Sequence, residues 1–178
     1  MEVVRLEDRS LALRRLALAG ALCALGVVMS PLSFPVGPAK CYPFQHALNV
    51  VAGYFLGPWY GAGCALVTSL IRISLGTGTL FALPGSIPGA LLAGLAARAI
   101  RGHLVPALGE VMGTCLVGAY LASALVGPMM GRSVSFQFLL SAFAISSVPG
   151  AALGALAVRL SHGRVLGLVG GRLSDNLK

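Results

Sequence analysis

The chain has 178 residues, 57% of them hydrophobic and only 10% charged, with a formal net charge of +8. Soluble domains carry roughly 25% charged residues, and the apolar stretches that recur from Leu11 to Leu160 are too many for a core of this size to bury, so the class is integral membrane. The excess of positive charge does not mark a nucleic-acid binder, because the basic residues stand at the ends of apolar runs instead of forming one patch.

The first 30 residues combine an Arg-containing start with an apolar centre. That is the pattern of a cleaved signal peptide, but later apolar runs make the protein polytopic, and the first run serves as its first helix. A spanning helix needs about 20 residues. Six candidates follow in order: Leu13 to Pro31, Phe44 to Leu56, Trp59 to Leu75, Pro84 to Ile100, Leu104 to Val126 and Ser135 to Leu160. The second is short, so its polar start belongs to the spanning element. The expected organisation is a cytoplasmic N-terminal segment (1–12), an all-α bundle of six transmembrane helices (13–160) and a cytoplasmic C-terminal tail (161–178).

The basic residues orient these spans. With the N-terminus inside, the inner side holds Arg5, Arg9, Arg14, Arg15, Arg98, Arg101, Arg159, Arg164, Arg172 and Lys178, and the outer side only Lys40, Arg72 and Arg132. The positive-inside rule therefore places both termini in the cytoplasm. Trp59 and Tyr60 in the inner turn GPWYG read as interfacial anchors. The three outer connections, 30–45, 74–86 and 126–137, are rich in Gly, Pro, Ser and Thr and hold most of the polar side chains. Irregular backbone at membrane depth survives only where protein buries it or where it lines a water-filled cavity. Polar groups are thus expected to converge at the outer face of the bundle.

Small residues recur at spacing four, as in Gly85/Gly89, Gly109/Gly113, Gly150/Gly154 and Ala17/Ala21. Such pairs let helix backbones approach closely in lipid. On the first helix Ala17, Gly20, Ala21 and Ala24 form a strip suited to another helix, within the bundle or on a partner protein. Residues 88–98, PGALLAGLAAR, echo residues 149–159, PGAALGALAVR, as a true repeat or as a product of Ala/Leu/Gly-rich composition.

Catalytic signatures are missing from the sequence. It has no Walker A loop, no HExxH and no GxSxG, and Glu110 is the only carboxylate between Asp8 and Asp175. Cys23, Cys41, Cys64 and Cys115 form no CxxC pair and no metal-ligand spacing, so neither catalytic residues nor a metal site is expected. Single polar groups suited to binding remain. His46 and Asn49 lie three apart, on one face of a helix, with Gln45 beside them; they either meet a ligand or bond neighbouring backbone. Tyr42 either stacks on a flat ring or anchors at the interface. Arg72 and Glu110 are ionisable residues within apolar spans, functional candidates by default. The bland readings are that Arg72 snorkels outward and that Glu110 pairs with an inner arginine or His103. Ser86, Thr77 and Gln137 are weaker candidates.

FPVGPAKCYPFQHALNV (34–50), then FLGPWYG, then R-x-x-LGTGTL-x-A-x-PGS-x-x-GALLAGL from Arg72, and finally GEVMGT resemble the ThiW family, in order, over nearly the whole chain. These are substrate-binding S components of energy-coupling factor (ECF) transporters. The resemblance implies a six-helix bundle with an outward-facing pocket in the cell membrane. It also implies partners, a transmembrane T component and two cytoplasmic ATPases, so that ATP is used by those subunits and is no cofactor of this chain. It implies docking on the T component through the Ala17, Gly20, Ala21 and Ala24 strip. The implied substrate is the thiamine precursor hydroxyethylthiazole, a small heteroaromatic alcohol. Tyr42, Gln45, His46, Asn49, Arg72 and Glu110 are the candidate contacts. The alternatives are an S component for hydroxymethylpyrimidine or thiamine itself, or a membrane scaffold whose polar loops only satisfy backbone.

Overall fold

The computed structural model describes residues 2–169; Arg172 and Lys178 of the expected inner tail lie outside them. Six helices account for nearly all of the described chain: α1 Glu2–Val28, α2 Pro43–Leu56, α3 Pro58–Ser74, α4 Ala82–Ala99, α5 Val105–Met129 and α6 Phe136–Val169. Their bounds follow the expected spans closely, except at the ends. Helix α1 begins at Glu2, inside the segment assigned to the cytoplasm, and α6 continues beyond Leu160.

The helix count of six agrees with the sequence, but their lengths differ widely. Only α1, α5 and α6 contain stretches both long and apolar enough to cross a membrane unaided. Helices α2, α3 and α4 have 14, 17 and 18 residues. At 1.5 Å per residue α2 rises only about 21 Å, against a hydrocarbon core of about 30 Å. It is nevertheless the most enclosed element, packed against α3, α4 and α6 and buried at nine positions. A short central helix leaves its height to be completed by the segment before it. There the chain makes a 3-10 turn (Ser30–Leu32) and a two-stranded antiparallel hairpin, β1 Phe34–Val36 and β2 Ala39–Cys41. The hairpin loop is the dipeptide Gly37-Pro38, with Gly37 at φ +55°, the left-handed region that glycine enters without penalty.

Small residues set the helix separations. A side chain at Gly109 or Gly113 of α5 would strike the α4 backbone at Leu92 or Pro88. One at Gly150 or Gly154 of α6 would strike α2 at Pro43 or Ala47. Helix α4 carries Pro88 and α6 carries Pro149 in their interiors, where each proline removes a backbone donor and bends the helix. Helix α5 is interrupted by two π-helical stretches, Gly113–Gly118 and Ala122–Val126.

The core divides between the two ends of the bundle. Val50, Tyr54, Phe55, Ala107, Ala151, Ala155 and Val158 join α2, α5 and α6 at one end. Phe81, Cys115, Ala119, Ala122, Leu139 and Phe143 join α4, α5 and α6 toward the other. Helix α1 packs mainly on α3, through Ala19, Leu22 and Cys64. Its strip of Ala17, Gly20, Ala21 and Ala24 is exposed at all four positions, facing away from the bundle.

Candidate ligand-binding site

The hairpin end of the bundle holds a small, partly open cavity of about 30 Å³, room for about two water molecules. Five elements build its wall. The hairpin contributes Lys40; the start of α2 contributes Gln45 and His46, with Tyr42 just before it. Arg72 comes from the last turn of α3, Phe81, Gly85 and Ser86 from the start of α4, and Phe143 and Ser146 from α6. The convergence expected of the outer connections is therefore real in space, although their prolines and glycines supply the frame and the adjoining helix ends supply most of the side chains.

Behind the wall runs a buried network centred on Glu110. His46 Nδ1 lies 2.6 Å from Glu110 Oε1, Thr114 Oγ1 donates to the same oxygen at 2.9 Å, and Asn49 Nδ2 approaches it at 3.4 Å while donating to the Ser86 carbonyl at 3.2 Å. Gln45 Nε2 donates to Asn49 Oδ1 at 3.2 Å. Glu110 is fully buried and neither it nor Asn49 lines the cavity, so these two candidates stand one layer back and hold the residues that do. With Nδ1 committed to Glu110, Nε2 is the His46 nitrogen left for a ligand. Gln45 Oε1 is buried without a partner and is the second free acceptor on this wall. His103, the alternative partner considered for Glu110, instead packs against Tyr54 and His162.

Glycine makes this network possible. A Cβ at Gly89 would overlap Thr114 and lie 2.8 Å from Glu110 Oε1, and one at Gly150 would lie 2.8 Å from His46 Cβ. Gly89 and Gly150 occupy corresponding places in the two echoed segments, each directly after the in-helix proline. One glycine seats the acidic half of the His46–Glu110 pair and the other seats the basic half.

On the opposite wall Arg72 does not snorkel. It is 2% exposed, its guanidinium carbon sits 4.0 Å from the centre of the Tyr42 ring, and its Nε has no hydrogen-bond partner. Tyr42 is locked in place by donation from its hydroxyl to the Gly26 carbonyl at 2.7 Å and from its backbone N–H to Ser146 Oγ at 2.7 Å. It is a cavity wall as well as an anchor. Of the weaker candidates, Ser86 lines the cavity, Thr77 closes the end of α3 by donating to the Arg72 carbonyl at 3.1 Å, and Gln137 is exposed elsewhere. Sequence reasoning missed Lys40, Phe81, Phe143 and Ser146. Phe81 fills the open position after LGTGTL in the third quoted motif, and Ser146 precedes the second Pro-Gly by three residues, but nothing in an apolar stretch singles out one Phe or Ser.

A helical membrane bundle that buries a few hydrogen-bonding groups around one aromatic-walled cavity is the architecture of a membrane protein that binds a small molecule. The family of thiamine-precursor transporter proteins (ThiW) matches the chain over residues 16–162, and the chain belongs to that family. No individual curated protein matches it.

Proposed function

We propose that this chain is the substrate-binding S component of an ECF-type transporter, capturing a thiamine precursor from outside the cell and delivering it for uptake driven by partner ATPases. The single observation that carries this reading is the cavity itself. Gln45 Oε1, a buried acceptor without a partner, and the His46 ring stand with a cation, Arg72, and three aromatic rings (Tyr42, Phe81, Phe143) around one space beside the hairpin. Flat rings suit stacking on a heteroaromatic ligand, and the acceptors suit its hydroxyl. Hydroxyethylthiazole, with one ring and one hydroxyl, is the first candidate.

In this conformation the cavity is far below the roughly 300–1,000 Å³ of pockets that hold drug-sized ligands. Binding then requires the hairpin to move. Lys40 Nζ donates to the Gly76 carbonyl at 3.1 Å, tying the hairpin to the turn after α3 by an exposed bond that can break at low cost. The nucleotide chemistry belongs to the T component and ATPases of the same transporter, and the exposed strip on α1 is the face offered to them.

Equilibrium binding to the purified chain in detergent tests the reading, with hydroxyethylthiazole, hydroxymethylpyrimidine and thiamine side by side. Selective binding of the thiazole supports it. Selective binding of another ring keeps the S-component role and moves the substrate. Failure of all three in a folded sample, together with failure to co-purify with a T component, supports a scaffold instead.

A further inference from the structure

We propose that the preferred ligand of this cavity carries an anionic group, a carboxylate or a phosphate monoester, that pairs with Arg72. The inference rests on the reading above that the cavity is the substrate site, and it puts an anionic form of the ring ahead of the neutral alcohol named there.

Arg72 is a permanent cation held at 2% exposure in an apolar bundle. Burying a guanidinium is tolerated when an opposite charge and hydrogen bonds compensate the lost hydration. Here neither is complete. Glu110 is the only carboxylate in the sequence between Asp8 and Asp175, and its Oε1 is occupied by His46, Thr114 and Asn49. Among the described residues no carboxylate lies within ion-pair distance of Arg72; Glu110 meets His46 instead.

Two other sources of compensation are present and both fall short. The Tyr42 ring offers its face at 4.0 Å, a cation–π contact that supplies no hydrogen-bond acceptor, and its hydroxyl is turned to the Gly26 carbonyl. The C-terminal end of α3 is electronegative, but its carbonyls are already taken. Arg72's own carbonyl accepts from Thr77 and Gly78, Ile71's from Leu75, and Ile73's from Gly76. The Nε donor faces no acceptor within the protein.

The same wall carries a second cation, Lys40, and no acidic side chain. Glu110, the one nearby acid, stands a layer back with Oε1 shared by His46, Thr114 and Asn49 and Oε2 without a partner, so the cavity lining itself carries two cations and no acid. Such a wall favours an anion, and the planar guanidinium fork suits carboxylate and phosphate oxygens geometrically. Gln45 Oε1 and the His46 ring stand across the cavity from it. A ligand fitting both walls presents a donor or ring edge to α2 and its negative group to Arg72.

The test titrates the purified full chain in detergent with three probes of common ring: hydroxyethylthiazole, its phosphate monoester, and 4-methylthiazole-5-carboxylate. The expected result is that one or both anions bind at least tenfold tighter than the neutral alcohol, about 1.4 kcal/mol. Which anion binds tighter distinguishes phosphate from carboxylate. Arg72→Gln is expected to shrink the anion-to-alcohol ratio below threefold, while Arg72→Lys, which keeps the charge, retains part of it. If the neutral alcohol binds as tightly as both anions, the proposal is overturned and the substrate site stands. If none of the three rings binds a folded sample, both fall together. Should Arg72→Gln fail to fold, the wild-type ratio and the Arg72→Lys ratio still decide.

Discussion

His46 Nδ1 and Glu110 Oε1, from opposite helices and 64 positions apart in the chain, meet at 2.6 Å in the fully buried heart of the bundle. The contact fixes the imidazole ring and determines which nitrogen a ligand can reach. His46→Ala removes that nitrogen and leaves Glu110 buried with only Thr114 and Asn49. Asn49→Ala loosens the ring's support and frees the Ser86 carbonyl. Each change is expected to weaken ligand binding at least tenfold, about 1.4 kcal/mol, measured by equilibrium titration. Glu110→Gln keeps an acceptor and preserves the fold better than Glu110→Ala, which strands the His46 donor at a cost of about 1–3 kcal/mol. Unchanged affinity in both the His46 and Asn49 variants removes the pair from the site and makes it framework.

The two glycines that follow in-helix prolines make a second prediction. Gly89→Ala drives a methyl into Thr114 and Glu110, and Gly150→Ala drives one into the Pro43 carbonyl and His46 Cβ. Backbone and a fixed carboxylate cannot yield as a flexible side-chain tip can, so each substitution is expected to destabilise by about 1–3 kcal/mol and to reduce ligand binding with it. Gly163→Ala is the control. It lies in α6 with open space around it, and alanine there is expected to stabilise by about 0.5–1 kcal/mol. Thermal unfolding in detergent reads all three. Equal melting temperatures at 89, 150 and 163 contradict the steric account.

The helices were legible because their signal is local. Apolar runs punctuated by Pro and Gly located all six helices to within a few residues at most ends, and the connections rich in polar residues gather at one end of the bundle, where the cavity lies. Two things were not legible. A run of apolar residues does not say whether its helix spans the bilayer alone or shares that height with a hairpin, which is why α2, at 14 residues, is central and yet short. Nor does single-residue polarity say which partner a group will find. Glu110 lies near the inner start of α5 in sequence and was matched to inner basic residues, yet α2 is short enough to bring His46 down to it. Arg72 was read as a functional group or as a side chain snorkelling to the outer interface, and it lies buried against the Tyr42 ring.

Lid movement is tested at the hairpin loop. Gly37 combines φ +55° with a close approach to the Phe138 ring, so Gly37→Val is both strained in backbone and obstructed in space. A β-branched residue in the left-handed region costs about 1–2 kcal/mol. That strain falls on the hairpin, which closes the cavity, and leaves Gln45, His46 and Arg72 in place. The expected effect is ligand dissociation at least fivefold faster with a smaller change in association, measured by stopped-flow displacement. If dissociation is unchanged, the hairpin is not what retains the ligand.

The exposed strip on α1 supplies the last prediction. Ala17, Gly20, Ala21 and Ala24 lie on one side of a helix whose other side packs on α3 through Ala19 and Cys64, and a side chain added at Gly20 would meet nothing within 4 Å. Small residues confer no stability on a face that touches only lipid, whereas they allow a second helix to approach at backbone distance. The strip also stands apart from the cavity, which is built by the hairpin, α2, α3, α4 and α6. Docking and ligand binding should therefore separate cleanly. Ala17→Trp or Ala21→Trp is expected to abolish co-purification with the T component while ligand affinity stays within twofold of wild type. A complex that survives both substitutions moves the docking surface to another face. Loss of ligand binding together with the complex shows instead that α1 is coupled to the cavity, with the Tyr42 bond to Gly26 as the connection to examine next.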